Sequence, residues 1–146
     1  MLEQINKDIV EAMKSKDTLK LATLRMLKGA IDLVRINKKL DKVLDEDIVS
    51  IIGKQIKTRK ESILEFEKGN REDLIEKTNV EIEILNAYMP EMMSEEEILL
   101  VVMDAINEVN ATSVKDMGSV MKVVSPKLKG KADMSLVSTI IKNKLN

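Results

Sequence analysis

The chain of 146 residues contains no cysteine and no histidine. Without thiols or imidazoles there is no disulfide, no zinc cluster of the usual ligands, no thiol nucleophile and no imidazole base. Ser62, Ser94 and Ser135 therefore lack a histidine to activate them. Tryptophan is also absent, and Phe66 and Tyr88 are the only aromatic residues. The chain offers no aromatic platform on which unstacked bases could lie. No long hydrophobic run exists either. The longest, Ile98 to Met103, is far too short to cross a bilayer. The N-terminal "MLEQINKDIVEAMK" mixes acids with bases and has no continuous apolar h-region, unlike a secretory signal. A soluble cytoplasmic protein with no membrane contact is the expectation, with no catalytic residue, no cofactor and no metal.

What remains is aliphatic and charged: 44% hydrophobic and 34% charged residues. Leucine, isoleucine, valine and ten methionines must fill the interior, which suits helix packing better than sheets. Apolar residues recur at spacings of three and four almost throughout, and no stretch alternates as a strand does. The predicted fold is all-α. Residues 1–90 form an N-terminal helical domain containing an antiparallel helix hairpin. Residues 91–146 form a small three-helix domain, with the division at Pro90, which restricts the residue before it.

Asp17 is placed to cap the second helix, Ser94 with Glu97 the fifth, and Asp133 the seventh. The second helix, "TLKLATLRMLKGAIDLVRINKK", is apolar around most of its circumference, which predicts a central helix contacted from several sides. Gly29 within it suggests a close helix approach, or simply a cost in stability. Gly69 suits the end of the third helix and Asn70 the cap of the fourth. Pro126 and Gly130 are expected to break the chain between the sixth and seventh.

A turn at Gly69-Asn70 folds the third and fourth helices into a hairpin. Facing residues then have numbers that sum to about 140. This register sets Phe66 opposite Leu74 and Ile52 opposite Tyr88. It also sets Arg59, on the apolar stripe of one helix, opposite Glu81 on that of the other. A structural ion pair that fixes register is the expectation.

Charge is uneven although the net is −1. Arg71 to Asn110 holds two bases against eleven acids, and Ala111 to Asn146 holds seven bases against two acids. Within that basic tail, "SPKLKGKAD" places Lys127, Lys129 and Lys131 around Leu128 and Gly130. Leu128 can anchor the corner while the lysines point outward, and Gly130 supplies a positive φ. A solvated corner between two helices accounts for the pattern. So does a contact with RNA phosphates, with Lys122 extending the basic surface.

"LATLRMLKGAI", "IKTRKESILEFEKGNREDL", "EIEILNAYMPEMMSEEEI" and "DMGSVMKVVSPKLKGKAD" resemble the successive blocks of the YqeY family, the GatB/YqeY-domain proteins. From about Ser94 the chain is also similar to the tail domain of the B subunit of tRNA-dependent amidotransferase. The resemblance implies an all-helical protein of two subdomains. It also implies a link to tRNA and to carbon–nitrogen ligation with glutamine as amido donor, although this chain lacks the catalytic cradle. Three positions depart from the family pattern: Thr58, Thr78-Asn79, and Met134, which follows Asp133 where glycine is frequent. The expected function is a non-catalytic adaptor that binds tRNA or a tRNA-handling enzyme. A protein-interaction module without RNA and an amidotransferase accessory are the alternatives.

Overall fold

The computed structural model describes residues 1–146. They form seven α-helices and one short 3-10 turn, with no strand. In chain order these are α1 (Leu2–Ser15), α2 (Thr18–Asn37), α3 (Asp45–Lys68), α4 (Glu72–Asn86), α5 (Glu95–Val109), the turn Val114–Asp116, α6 (Met117–Leu128) and α7 (Met134–Leu145). The chain divides into two units, Met1–Met89 and Pro90–Asn146.

The helix starts follow local chemistry. Asp17 accepts from the Lys20 amide at 3.2 Å, and the Asp47 carboxylate accepts from the Leu44 amide at 3.3 Å. Ser94 Oγ accepts from the Glu97 amide at 3.2 Å, but the Glu97 carboxylate faces the Ser94 hydroxyl rather than closing a full capping box.

The helix ends use an unexpected device. Lys16, Lys39, Asn70 and Asn110 all have left-handed φ, from 51° to 59°. Each closes a Schellman motif, as where Arg71 N donates to Phe66 O and Asn70 N to Glu67 O. The left-handed residue of the hairpin turn is thus Asn70, while Gly69 has φ −90° and Arg71, not Asn70, precedes α4.

Unit one is built on the α3–α4 hairpin, with α1 and α2 packed in the same unit. Ile5, Leu27, Ile31, Ile48, Ile52 and Leu85 are its fully buried centre. Thr23 and Thr78, both buried, return their hydroxyls to the carbonyls of Leu19 and Leu74. α2 contacts α1, α3 and α4, the central position its composition suggests, but it is not covered all round. It buries Thr23, Leu24, Leu27 and Ile31 but leaves Met26, Leu33 and Ile36 about 60% exposed. A Cβ at Gly29 would meet nothing within 4 Å, so no neighbouring helix of this chain requires that glycine.

Two polar contacts pin the unit. Arg59 is 8% exposed, and its Nε donates to Glu81 Oε2 at 2.9 Å. Its Nη1 also reaches Gln55 O at 3.3 Å and Gln55 Oε1 at 3.4 Å. Tyr88, just past α4, donates its hydroxyl to Asp8 on α1. Burial, the hydrogen bond and the Asp8 charge together hold the Tyr88 phenol well above the usual tyrosine range.

Unit two has its own core of Ile98, Val102, Val120, Val124, Val137 and Ile141, all fully buried. With cores this small, each aliphatic side chain contributes a sizeable share of stability.

Removing either partner of the buried pair is expected to be costly. Glu81→Leu strands the better buried guanidinium and should cost about 3 kcal/mol, with Arg59→Leu somewhat less, because Glu81 can turn to water. The double change should lose less than the sum of the two in urea unfolding. Strict additivity would show that the charges are uncoupled.

The single tyrosine gives a clean spectroscopic probe. Its phenolate absorbance should appear well above pH ~10, and Asp8→Asn should bring it part of the way down, since burial persists. The contact's stabilisation is therefore intact below about pH 10 and is lost as pH rises through the raised value. Replacing the left-handed Lys39 by glycine should raise stability by about 1 kcal/mol. Unchanged or lowered stability in that variant would mean that the lysine is not strained.

Candidate functional site

The lysine corner is half helix and half turn. Pro126 does not end α6, contrary to the sequence expectation. The helix continues through it to Leu128, since only the Lys122 carbonyl loses its intrahelical donor. Ser125 O still accepts from Lys129 N at 3.0 Å. Gly130, with φ 76°, then turns the chain. Leu128 is 1% exposed and its carbonyl accepts from both Lys131 N and Ala132 N, at 2.9 and 3.1 Å. Lys131 O accepts from Met93 N at 2.9 Å, which ties the corner to the segment preceding α5.

Around this anchor Lys127 and Lys131 are exposed and Lys129 is half-buried. Lys122 is exposed on α6, but five residues before Lys127 and so about 140° away around the helix. The corner thus brings together Lys127, Lys129 and Lys131, and Lys122 lies on a different face of α6 from Lys127.

The two acids of the basic tail are both engaged with backbone amides. Asp133 Oδ1 accepts from Ser135 N at 2.9 Å and caps α7. Asp116 accepts from Thr112 N at 2.9 Å and from Ser113 N at 3.3 Å. Those amide bonds hold the Asp116 carboxyl below its usual range. Because Asp133 occupies the start of α7, the helix terminus has less to offer an outside anion. Met134, where the family pattern favours glycine, is the first residue of α7 and packs against the core of unit two.

The two best-defined hollows are shallow and open. One is lined by Glu11, Lys14, Ser15, Asp17 and Lys20, and the other by Val10, Arg25, Lys28, Gly29 and Asp32. Arg59 and Glu81 are held within unit one by their mutual bond and by Gln55. Lys54, Lys57 and Lys60 are exposed along α3. Sequence reasoning missed the Asp8–Tyr88 contact, whose partners are 80 residues apart. It also missed the exposed apolar stripe of α2, although spacing of that stripe was available in the sequence.

The chain is similar to several fungal proteins. A protein named "Altered inheritance of mitochondria protein 41, mitochondrial" from Pyrenophora tritici-repentis is 32% identical over 135 residues, covering 90% of this chain and 73% of its own length. The protein of the same name from Kluyveromyces lactis is 42% identical over 85 residues, covering 58% of this chain and 45% of its own length. An uncharacterised Schizosaccharomyces pombe protein is 32% identical over 90 residues, 62% of this chain and 72% of its own length. The chain spans about half the length of several of these curated relatives. Their names correct the expectation of a cytoplasmic protein, because they designate mitochondrial proteins. That expectation rested on the mixed charge of the first fourteen residues and on the shortness of the apolar runs, and neither distinguishes cytoplasm from an organelle interior. The family model described as Yqey-like protein matches residues 2–145, nearly the whole sequence, and the chain belongs to the YqeY family.

Proposed function

We propose that the protein is a non-catalytic helical adaptor that binds tRNA, or a tRNA-handling enzyme, through its C-terminal unit. The observation that carries the reading is the corner itself: Lys127, Lys129 and Lys131 grouped around a buried Leu128. Such an arrangement presents positive charge on a fixed backbone. Lysines of this kind read phosphates by charge and position and carry no base preference. The nucleic acid would be a folded RNA recognised by shape. The similarity of the C-terminal part to the amidotransferase tail domain supports a role beside an enzyme that forms amides from glutamine. The adaptor's setting follows that of the relatives named as mitochondrial.

A second reading is favoured by one observation on α5. Leu100 is 67% exposed and Met103 44%, one turn apart on a helix that begins with Glu95, Glu96 and Glu97. A protein partner with an apolar ridge and basic rim would suit that face without RNA. Capture experiments with nuclease treatment separate the two, since a partner held by α5 survives the nuclease.

Filter binding of tRNA across a salt series tests the first reading. Affinity should fall steeply between about 50 and 200 mM salt. A Lys127, Lys129 and Lys131 triple alanine variant should bind more weakly and flatten the log–log salt slope by about two to three. The same replacement of Lys54, Lys57 and Lys60 on α3 should change little. No affinity at low salt, or no effect of the corner variant, would remove the proposal.

A further inference from the structure

On α2, Ala22, Met26, Gly29, Leu33 and Ile36 follow one another at steps of four, three, four and three. That spacing aligns them on a single seam of the kind one helix offers another. All five are exposed, with Met26 at 61%, Leu33 at 59% and Ile36 at 63%. The buried face of the same helix, built on Leu24, Leu27 and Ile31, points the other way. Thus α2 carries two apolar faces; this chain covers one of them and touches the other only where Arg59 Nη2 reaches the Met26 sulfur at 4.0 Å.

We propose that the uncovered seam pairs with the same seam of a second copy of the chain, antiparallel and in one register. In an antiparallel pair the numbers of facing residues have a constant sum. When Met26 of one copy faces Gly29 of the other, Ala22 faces Leu33. Met26 and Leu33 then each lie over a small residue, in both halves of the two-fold pair, and Ile36 meets Leu19 at either end. The open space at the Gly29 Cβ position is where the incoming Met26 fits.

Charge selects the same register. Arg25 and Asp32 flank the seam on one side, and neither has an ionic partner within the chain. Arg25 rests only against the sulfur of Met13, at 3.4 Å. In the proposed register Arg25 of each copy meets Asp32 of the other, giving two reciprocal ion pairs. Sliding the pair by one heptad would set Asp32 against Asp32 and Arg25 against Lys39. Parallel pairing would stack Gly29 on Gly29 and leave a gap. Size and charge, which vary independently along a helix, agree on one arrangement. A contact between two single helices lies at the small end of specific interfaces, so association should be weak and concentration-dependent.

Sedimentation of the full chain over a concentration series is the test. The protein should pass from monomer to dimer, and Leu33→Arg should weaken the dimer by about tenfold or more with helix content unchanged. Arg25→Asp and Asp32→Arg should each weaken it, because like charges then meet, and the two changes together should restore it. The natural absence of cysteine permits a test of direction. A mixture of Met26→Cys and Gly29→Cys chains should crosslink faster than either variant with itself. A monomer at every concentration would overturn the proposal and leave the seam to a different protein. So would a double charge swap no better than the single ones, or faster crosslinking of Met26→Cys with itself.

Discussion

The fold of unit one depends on a choice of register that aliphatic packing makes poorly. α3 and α4 offer each other isoleucine and leucine at nearly every turn, so a slide of one turn exchanges one branched chain for another at little cost. Arg59 and Glu81 remove that freedom. Arg59, 8% exposed, has very few places where its charge is met, and a slide of one turn would set it against Leu85 in one direction and Lys77 in the other. α2 then packs against a hairpin whose stagger is already set. Tyr88 carries the constraint to α1, because its hydroxyl finds Asp8 only when α4 ends at the right height.

Unit two solves a different problem. It must carry seven bases within thirty-six residues, from Ala111 onward, around a core of valine and isoleucine. Both acids of that stretch serve backbone amides at helix starts. The arrangement stabilises the helix ends and leaves Lys127 and Lys131 exposed on either side of Leu128. The same residues that make the unit foldable therefore shape its field.

Much of this was legible in the sequence. Spacings of three and four in Ile, Leu, Val and Met fix the helical class, because no other periodicity competes. Asp17 and Asp133 were readable as caps, since an aspartate before an apolar run has few other roles. The facing positions of Arg59 and Glu81 follow from a turn centre and simple arithmetic. Other features left no local trace. Lysine is not a left-handed residue by preference, so nothing marked Lys16 or Lys39 as helix ends. Proline normally stops a helix, and its tolerance at Pro126 depends on how few turns remain beyond it. Periodicity shows which faces of α2 are apolar but not which of them a neighbour covers. Cellular setting was equally hidden, because folding chemistry is the same in an organelle and outside it.

Pro126 has one more effect, on what holds the end of α6. The proline removes a rung of the backbone ladder just before the lysines, so the last turn is held by Leu128, buried beneath it, and by the Lys129 amide on Ser125 O rather than by a complete ladder. Val120 and Val124, on the near side, remain clamped in the core. Leu128 does the same for the end bearing Lys127 and Lys129, so tertiary packing replaces the missing backbone bond. Loosening that core at Leu128 would therefore unravel the charged corner before the rest of α6.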